Sequence, residues 1–150
     1  NDAVLIRLSR RINDGMVEYL ANKIRYNIGI NGVVTIFGAA YKGNVDDARE
    51  SPSLRLAGLL VEQGYHVRLH DPHVNKFKYE LLDLFDSVKE SDCIVVMVDH
   101  DEFKNISNEN IREISEKMRN KYLIDTRNCL NHNSWMSAGF DINILGCGTK

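Results

Sequence analysis

The apolar run Val33-Val34-Thr35-Ile36-Phe37, followed by a polar loop and then by Ser51-Pro52, constrains this chain more than any other stretch. Five consecutive residues, mostly β-branched or aromatic, read as a buried strand. Ser51 can cap a helix, and Pro52 suits its first position, where a missing N–H costs nothing. Leu54, Leu56, Ala57, Leu59, Leu60 and Val61 make the helix Pro52–Gln63 apolar over much of its circumference, and Gly64 stops it. His66 to His70 then reads as a second strand, ending at the turn signal Asp71-Pro72. Strand, loop, helix, turn and strand in about 40 residues is the size of a βαβ unit with a right-handed crossover.

The remaining elements extend that unit. Residues 3 to 28 predict one helix, because Val4, Leu5, Leu8, Ile12, Met16, Tyr19, Leu20, Ile24 and Ile28 recur at spacings of three and four. Gly29 and Asn31-Gly32 end it. Such a helix would span roughly 39 Å, more than a small domain needs, which suggests either a connecting or dimerising element or a long N-terminal helix docked on its own domain. The segment His73–Ser91 fits strand or helix equally well until Asp86–Ser91, read as a short helix. Cys93 to Val98 is almost uninterrupted in apolar residues, as in a strand covered on both faces. A loop, Asp99–Phe103, leads to a helix over Asn108–Arg119 capped by Ser107. Tyr122–Asp125 is a strand, Thr126–Asn128 a loop, Asn133–Ala138 a helical turn and Phe140–Leu145 a last strand. The alternation predicts an α/β, Rossmann-like, doubly wound and mostly parallel sheet with a long N-terminal helix.

Composition excludes several classes of function. With 150 residues, one domain and a sizeable core are expected. A formal charge of −2 offers no concentrated basic face for nucleic acid. No apolar run approaches the roughly 20 residues that cross a bilayer, and Arg7, Arg10 and Arg11 interrupt any signal-like opening, so a cytoplasmic location is expected. The cysteines Cys93, Cys129 and Cys147 are odd in number and contain no C-x-x-C pair. They are read as structural, without a zinc site, disulfide framework or nucleophile.

Ligands of open α/β sheets bind outside the carboxyl ends of the strands. That brings the loops 38–50, 99–103 and 125–128 into play, and with them Lys42, Arg49, His100 and Arg127 as one cationic rim. Lysine as a point charge and arginine as a fork suit a diphosphate. Tyr41 or Phe103 could stack on a base or pack a ribose. Asp46, Asp47 and Glu50 are too acidic for a bare phosphate pocket and are expected to fix the loop, by pairing with Arg49 or accepting helix-end N–H bonds. Consecutive residues such as Asp99, His100, Asp101 and Glu102 rarely converge on one ion, so no metal centre is expected. Gly38-x-x-x-x-Gly43 lacks the Gly-Lys-Ser/Thr ending of a P-loop, and there is no G-x-G-x-x-G.

The run FGAAYKGNVDDARESPSL, together with GYHVRLHDP at 64–72, VDHDEF at 98–103 and IDTRN at 124–128, closely resembles the C-terminal domain of the UDP-glucose/GDP-mannose dehydrogenase family. Ile12-Asn13-Asp14-x-Met16 looks like the end of that family's central dimerisation helix, which divides the chain into 1–30 (helix) and 31–150 (nucleotide-sugar domain). The resemblance implies a UDP-sugar substrate bound by Tyr41, Lys42 and Arg127, and an NAD cofactor reached by Arg49. It implies oxidation of the sugar alcohol to the uronic acid by two NAD molecules, through an aldehyde and a thioester on a cysteine. The Val98–Lys104 run is most like the UDP-N-acetylmannosamine branch, while other segments fit UDP-glucose enzymes equally well.

The family's NAD-binding domain and its Gly-Gly-x-Cys segment have no counterpart in these residues. The chain is therefore expected to hold no catalytic residue, to be inactive alone, and to need the N-terminal domain and a second copy as partners. The competing expectation is a non-catalytic interaction module that keeps the fold and associates through its first helix.

Overall fold

A computed structural model describes residues 2–145, with side chains from Gly15 onward. Helix α1 (Asp2–Ile28) precedes β1 (Val33–Phe37), α2 (Pro52–Glu62), β2 (His66–His70), α3 (Leu84–Val88) and β3 (Cys93–Val96). Then follow α4 (Asp101–Lys104), α5 (Asn108–Lys117), β4 (Tyr122–Asp125), α6 (His132–Ser137) and β5 (Asp141–Ile144). The strands form one sheet in the order β2-β1-β3-β4-β5. Every neighbouring pair is parallel, so all carboxyl ends lie on one edge.

Alternation along the strands divides the core in two. Val34, Ile36, Cys93, Val95, Tyr122 and Ile124 share a cluster with Leu56, Ala57 and Leu60 of α2 and with Val17, Leu20, Ala21 and Ile24 of α1. On the opposite face, Phe37, Ile94, Val96 and Leu123 meet Phe103, Ile111, Ile114 and Trp135. Adjacent residues of a strand point to opposite faces, which is why Ile94 and Val95 belong to different clusters. Helices cover both faces, as a doubly wound sheet requires.

Local signals explain most element boundaries. Ser51 Oγ accepts the Leu54 N–H at 3.2 Å, and Ser107 Oγ accepts that of Asn110 at 3.1 Å. Gly64 takes φ +93° after α2, a conformation that costs glycine little. Three expectations are corrected. Helix α3 starts at Leu84 rather than Asp86, because Asp83 caps it through the Asp86 N–H at 2.8 Å. Residues 101–104 form the helical turn α4 rather than loop. Met16 and Tyr19 lie off the buried stripe of α1, 39% and 49% exposed, because Val17 and Ala21 occupy the face that meets α2. The stripe residues Val4, Leu5, Leu8 and Ile12 fall among the residues whose side chains are not described.

His70 closes β2, with its Nδ1 2.9 Å from the Leu82 carbonyl, which accepts the proton. Burial is the largest influence on its imidazole and holds it below the ordinary 6.5, against the neighbouring Asp71 and Asp83 carboxylates. The unfolded chain therefore takes up this proton first as pH falls below 6.5, so the associated stability is present above that value and lost below it. The urea midpoint should be lower at about pH 5.5 than at about pH 7.5, and His70→Gln should flatten the difference. An unchanged slope in the variant would remove His70 from the account.

Candidate functional site

Strand order reverses between β1 and β3, the outward-winding point where ligands of open sheets bind. The loop after β1 occupies it. Gly38 takes φ +102° and crosses so close to β3's continuation that an added Cβ would stand 2.5 Å from Val98 Cβ. Its N–H donates to the His70 carbonyl at 2.8 Å. Its own carbonyl accepts the Ser53 hydroxyl from α2 at 2.5 Å. Ala39 and Ala40 are buried. The chain then rises to Tyr41 and Lys42, both exposed, and turns back where the Tyr41 N–H meets the Asp47 carbonyl at 2.7 Å. Asn44 takes φ +62°, which asparagine tolerates better than most residues.

Two buried polar residues hold this loop from below. Asp71, just past β2, accepts the N–H groups of Ala39 and Ala40 on Oδ2 at 2.8 and 3.0 Å. Its Oδ1 accepts those of His73 and Val74 at 2.7 and 3.0 Å. Burial opposes its charge most strongly. The His100 hydrogen bond and the backbone donors outweigh burial, and hold the carboxyl below the ordinary range. His100 lies 2.8 Å from Asp71 Oδ2 through Nε2, and its Nδ1 accepts the Asn44 N–H at 2.8 Å. The ring proton must then sit on Nε2, donated to the carboxylate. His100 is 0% exposed, so it does not join the cationic rim expected from the sequence. Phe103, expected as a stacking surface, is buried too, its ring 5.2 Å from that of Phe37.

Arg49 stands outside this framework. Its Nε and Nη2 donate to Asp47 Oδ1 and Oδ2, each at 3.0 Å, a bidentate pair in which Asp47 falls to about 2. Asp47 thus fixes the loop by pairing with Arg49. The α2 N-terminal N–H bond goes to Ser51 instead of to Asp46, Asp47 or Glu50. Glu50 takes φ +52°, strained for a long side chain. Tyr41, Asp47, Arg49 and Glu50 line an open cavity of about 710 Å³. The structure therefore brings Tyr41 and Arg49 to one cavity, while Lys42 follows Tyr41 in the chain and is exposed.

Arg127 arrives by the neighbouring route. Phe37, Val96 and Asp125 are in register across β1, β3 and β4, so the Arg127 loop leaves the same edge roughly two strand spacings, about 10 Å, from the β1 loop. Asp125 is completely buried. It accepts the N–H of Arg127 at 3.1 Å, those of Cys129 and Leu130 at 3.0 Å, and His132 Nε2–H at 2.8 Å. Asn128 takes φ +52°, and the turn projects Arg127 into solvent. Asp71, His100, Asn44 and Asp125 were not singled out in the sequence as supports. Each lies at or just past a strand's carboxyl end, which was the available signal.

The described thiols are poorly suited to nucleophilic chemistry. Burial pushes Cys93 far above its ordinary range, and burial with the Asp125 charge pushes Cys129 up to about 12. Cys147 lies outside the described residues. Among those described, His73, His100 and Glu102 place ligand-type atoms within 4.8 Å of one another. Both ring nitrogens of His100 are already committed to Asn44 and Asp71, and His73 Nε2 is 2.9 Å from Glu102 Oε1, so the group is a hydrogen-bond network. No described helix is long and apolar enough to cross a membrane.

A five-stranded parallel sheet with a cation-bearing loop at its reversal point defines a Rossmann-like α/β domain. Residues 35–132 match the UDP binding domain of the UDP-glucose/GDP-mannose dehydrogenase family, and the chain belongs to that family. The UDP-N-acetyl-D-mannosamine dehydrogenase of Methanococcus vannielii is 51% identical over 152 aligned positions, covering 99% of this chain and 36% of that protein. The enzyme of the same name from Methanocaldococcus jannaschii is 41% identical, over 98% of this chain and 35% of its own length. Among solved structures, the NDP-N-acetyl-D-galactosaminuronic acid dehydrogenase of Methanosarcina mazei superposes with a TM-score of 0.79 at 29% identity, covering 93% of this chain and 31% of that one. The UDP-N-acetyl-mannosamine dehydrogenase of Staphylococcus aureus gives 0.73 at 35% identity, with 87% and 31% covered. The chain spans about a third of the length of the curated relatives it matches.

Proposed function

We propose that this chain is the nucleotide-sugar-binding part of an NAD-dependent UDP-sugar 6-dehydrogenase. The observation that carries the proposal is the display of Tyr41 and Lys42 at the tip of a tightly tethered loop, with Arg127 two strands away on the same edge. A nucleoside diphosphate laid along that edge would meet Lys42 as a point charge and Arg127 as a fork, with Tyr41 able to pack a ring. The names borne by the most similar relatives favour UDP-N-acetylmannosamine as the sugar nucleotide, with UDP-glucose as the other candidate.

NAD supplies the hydride acceptor in this reading. The residues present fit one contact to it. Arg49 is exposed at the cavity rim, but its fork is half spent on Asp47, and no glycine-rich dinucleotide turn accompanies it. The main NAD site is accordingly assigned to an N-terminal domain of the same enzyme. The nucleophilic cysteine that carries the four-electron oxidation of the sugar alcohol to the uronic acid is placed outside these residues. Residues 1–30 are read as the end of a central helix that pairs two copies. The exposure of Tyr26 and Ile30 (90% and 62%) supports an association surface, which equally serves the second reading, a non-catalytic interaction module.

Titration of the chain with UDP, followed by NMR or calorimetry, separates these readings. Binding is expected, and Lys42→Ala and Arg127→Ala should each weaken it by about tenfold, the scale of one charge-assisted hydrogen bond. Unchanged affinity in both variants would overturn the residue assignments, and no binding at millimolar UDP would favour the interaction module. With UDP-N-acetylmannosamine and NAD, the chain alone should form no NADH. Its formation would show that the catalytic residues are here after all.

A further inference from the structure

We infer that Asp71 and His100 are positioning residues for substrate binding, a buried hydrogen-bonded pair that grips both ends of the segment Ala39–Asn44 and so sets where Tyr41 and Lys42 stand. The inference rests on the UDP-sugar reading of that loop.

The grip is bilateral. On the entering side, Asp71 Oδ2 takes the N–H groups of Ala39 and Ala40. On the leaving side, His100 Nδ1 takes the Asn44 N–H. The two halves are joined by the His100 Nε2–H bond to the same Asp71 oxygen. The pair itself does not hold the three residues between, Tyr41, Lys42 and Gly43, of which Tyr41 is tied instead through its N–H to the Asp47 carbonyl, and two of them are the substrate candidates. The pair is out of solvent, with both side chains 0% exposed. His73 covers it, its ring 4.6 Å from that of His100 and its Nε2 bonded to Glu102. A return bond, Asp101 N–H to Asn44 Oδ1 at 2.9 Å, ties the loop to α4. Gly43 is pressed on Asp99, where an added Cβ would stand 2.6 Å from Oδ1.

Such a framework holds a lysine tip where a phosphate will arrive, so that ordering need not be supplied by the ligand. Neither residue is expected to touch substrate. Asp71 comes from β2, His100 from the β3 continuation and Asn44 from the β1 loop, so the pair also locks three successive strand ends into one surface.

The two ring nitrogens can be tested apart. His100→Gln keeps a donor toward Asp71 but loses the acceptor for Asn44. His100→Asn keeps an acceptor near the Nδ1 position and loses the Asp71 donor. In the isotope-labelled chain, His100→Gln should speed amide exchange at Asn44 and weaken UDP binding about tenfold, with cooperative unfolding retained. His100→Asn should keep Asn44 protected but lose the bond that joins the two halves, and bind UDP more weakly than the parent though more tightly than His100→Gln. Gly43→Ala displaces the same segment without touching the buried pair and should weaken UDP binding comparably, so the inference does not depend on the histidine variants folding. Parental Asn44 protection in His100→Gln, or parental affinity in both His100→Gln and Gly43→Ala, would overturn the positioning role. If the parent chain itself fails to bind UDP, the reading of the site falls, while the exchange measurement still decides whether the grip exists.

Discussion

Asp71→Ala is expected to destabilise the chain by about 3–5 kcal/mol, a large part of the roughly 5–15 kcal/mol that holds a domain of this size together. The carboxylate accepts from four backbone N–H groups and from the His100 ring. Truncation would leave five buried or half-buried donors facing a small void, each costing about 1–3 kcal/mol if nothing replaced the partner. Water can enter beside the exposed Pro72 and recover part of that loss, which is why the full sum is not expected. Asp71→Asn should fall between parent and alanine, because one oxygen survives while the amide group opposes donors. Urea unfolding at neutral pH measures both. A loss under about 1 kcal/mol for alanine would mean that the loop, not Asp71, organises this corner.

Gly38→Ala comes next, with an expected loss of about 3–5 kcal/mol from two separable causes. The φ of +102° strains any side-chain-bearing residue, and the new Cβ would stand 2.5 Å from Val98 Cβ, a distance real Cβ atoms do not reach. Val98→Gly removes the side-chain part of the second cause, leaving the Val98 backbone nitrogen 3.0 Å from the new Cβ, and leaves the first. A double-mutant cycle should therefore show a favourable coupling of about 1–3 kcal/mol, with Gly38→Ala still harmful in the glycine background. Zero coupling would show that the backbones separate freely at this crossing, contrary to the buried packing of Ala39 and Ala40 beside it.

Local chemistry made much of the fold legible. The β1 run, the Ser51-Pro52 start of α2, the strand His66–His70 and the cap at Ser107 appear in the structure where residue type and spacing put them. The β1 residues are largely apolar on both faces because both faces are covered, and that signal needs no tertiary information. Segment 73–91 resisted reading because Leu81 belongs to an isolated bridge with Leu69, a pairing across twelve residues that no periodicity announces. Helix α4 has no local signal for a related reason. Its first N–H is capped by Asn44 Oδ1, from 57 positions away.

The candidate site divides along the same line. Residue types and their order alone brought forward Tyr41, Lys42, Arg49 and Arg127, because cations and small residues at strand ends suit phosphate wherever the sheet places them. His100 and Phe103 carry the same kind of signal and yet are buried. A histidine between two aspartates looks solvated, and nothing local reveals that the fold closes over it. Burial depends on what packs from elsewhere, here Asp71 from β2, Asn44 from the β1 loop and the Phe37 ring from β1. By itself the sequence determined the strands, the caps and the inventory of charges, since these follow from neighbours along the chain. Only the tertiary structure decided which polar residues face the ligand edge and which lie beneath it as supports. That choice is made by hydrogen bonds between segments about 30 to 57 residues apart, which no local pattern encodes.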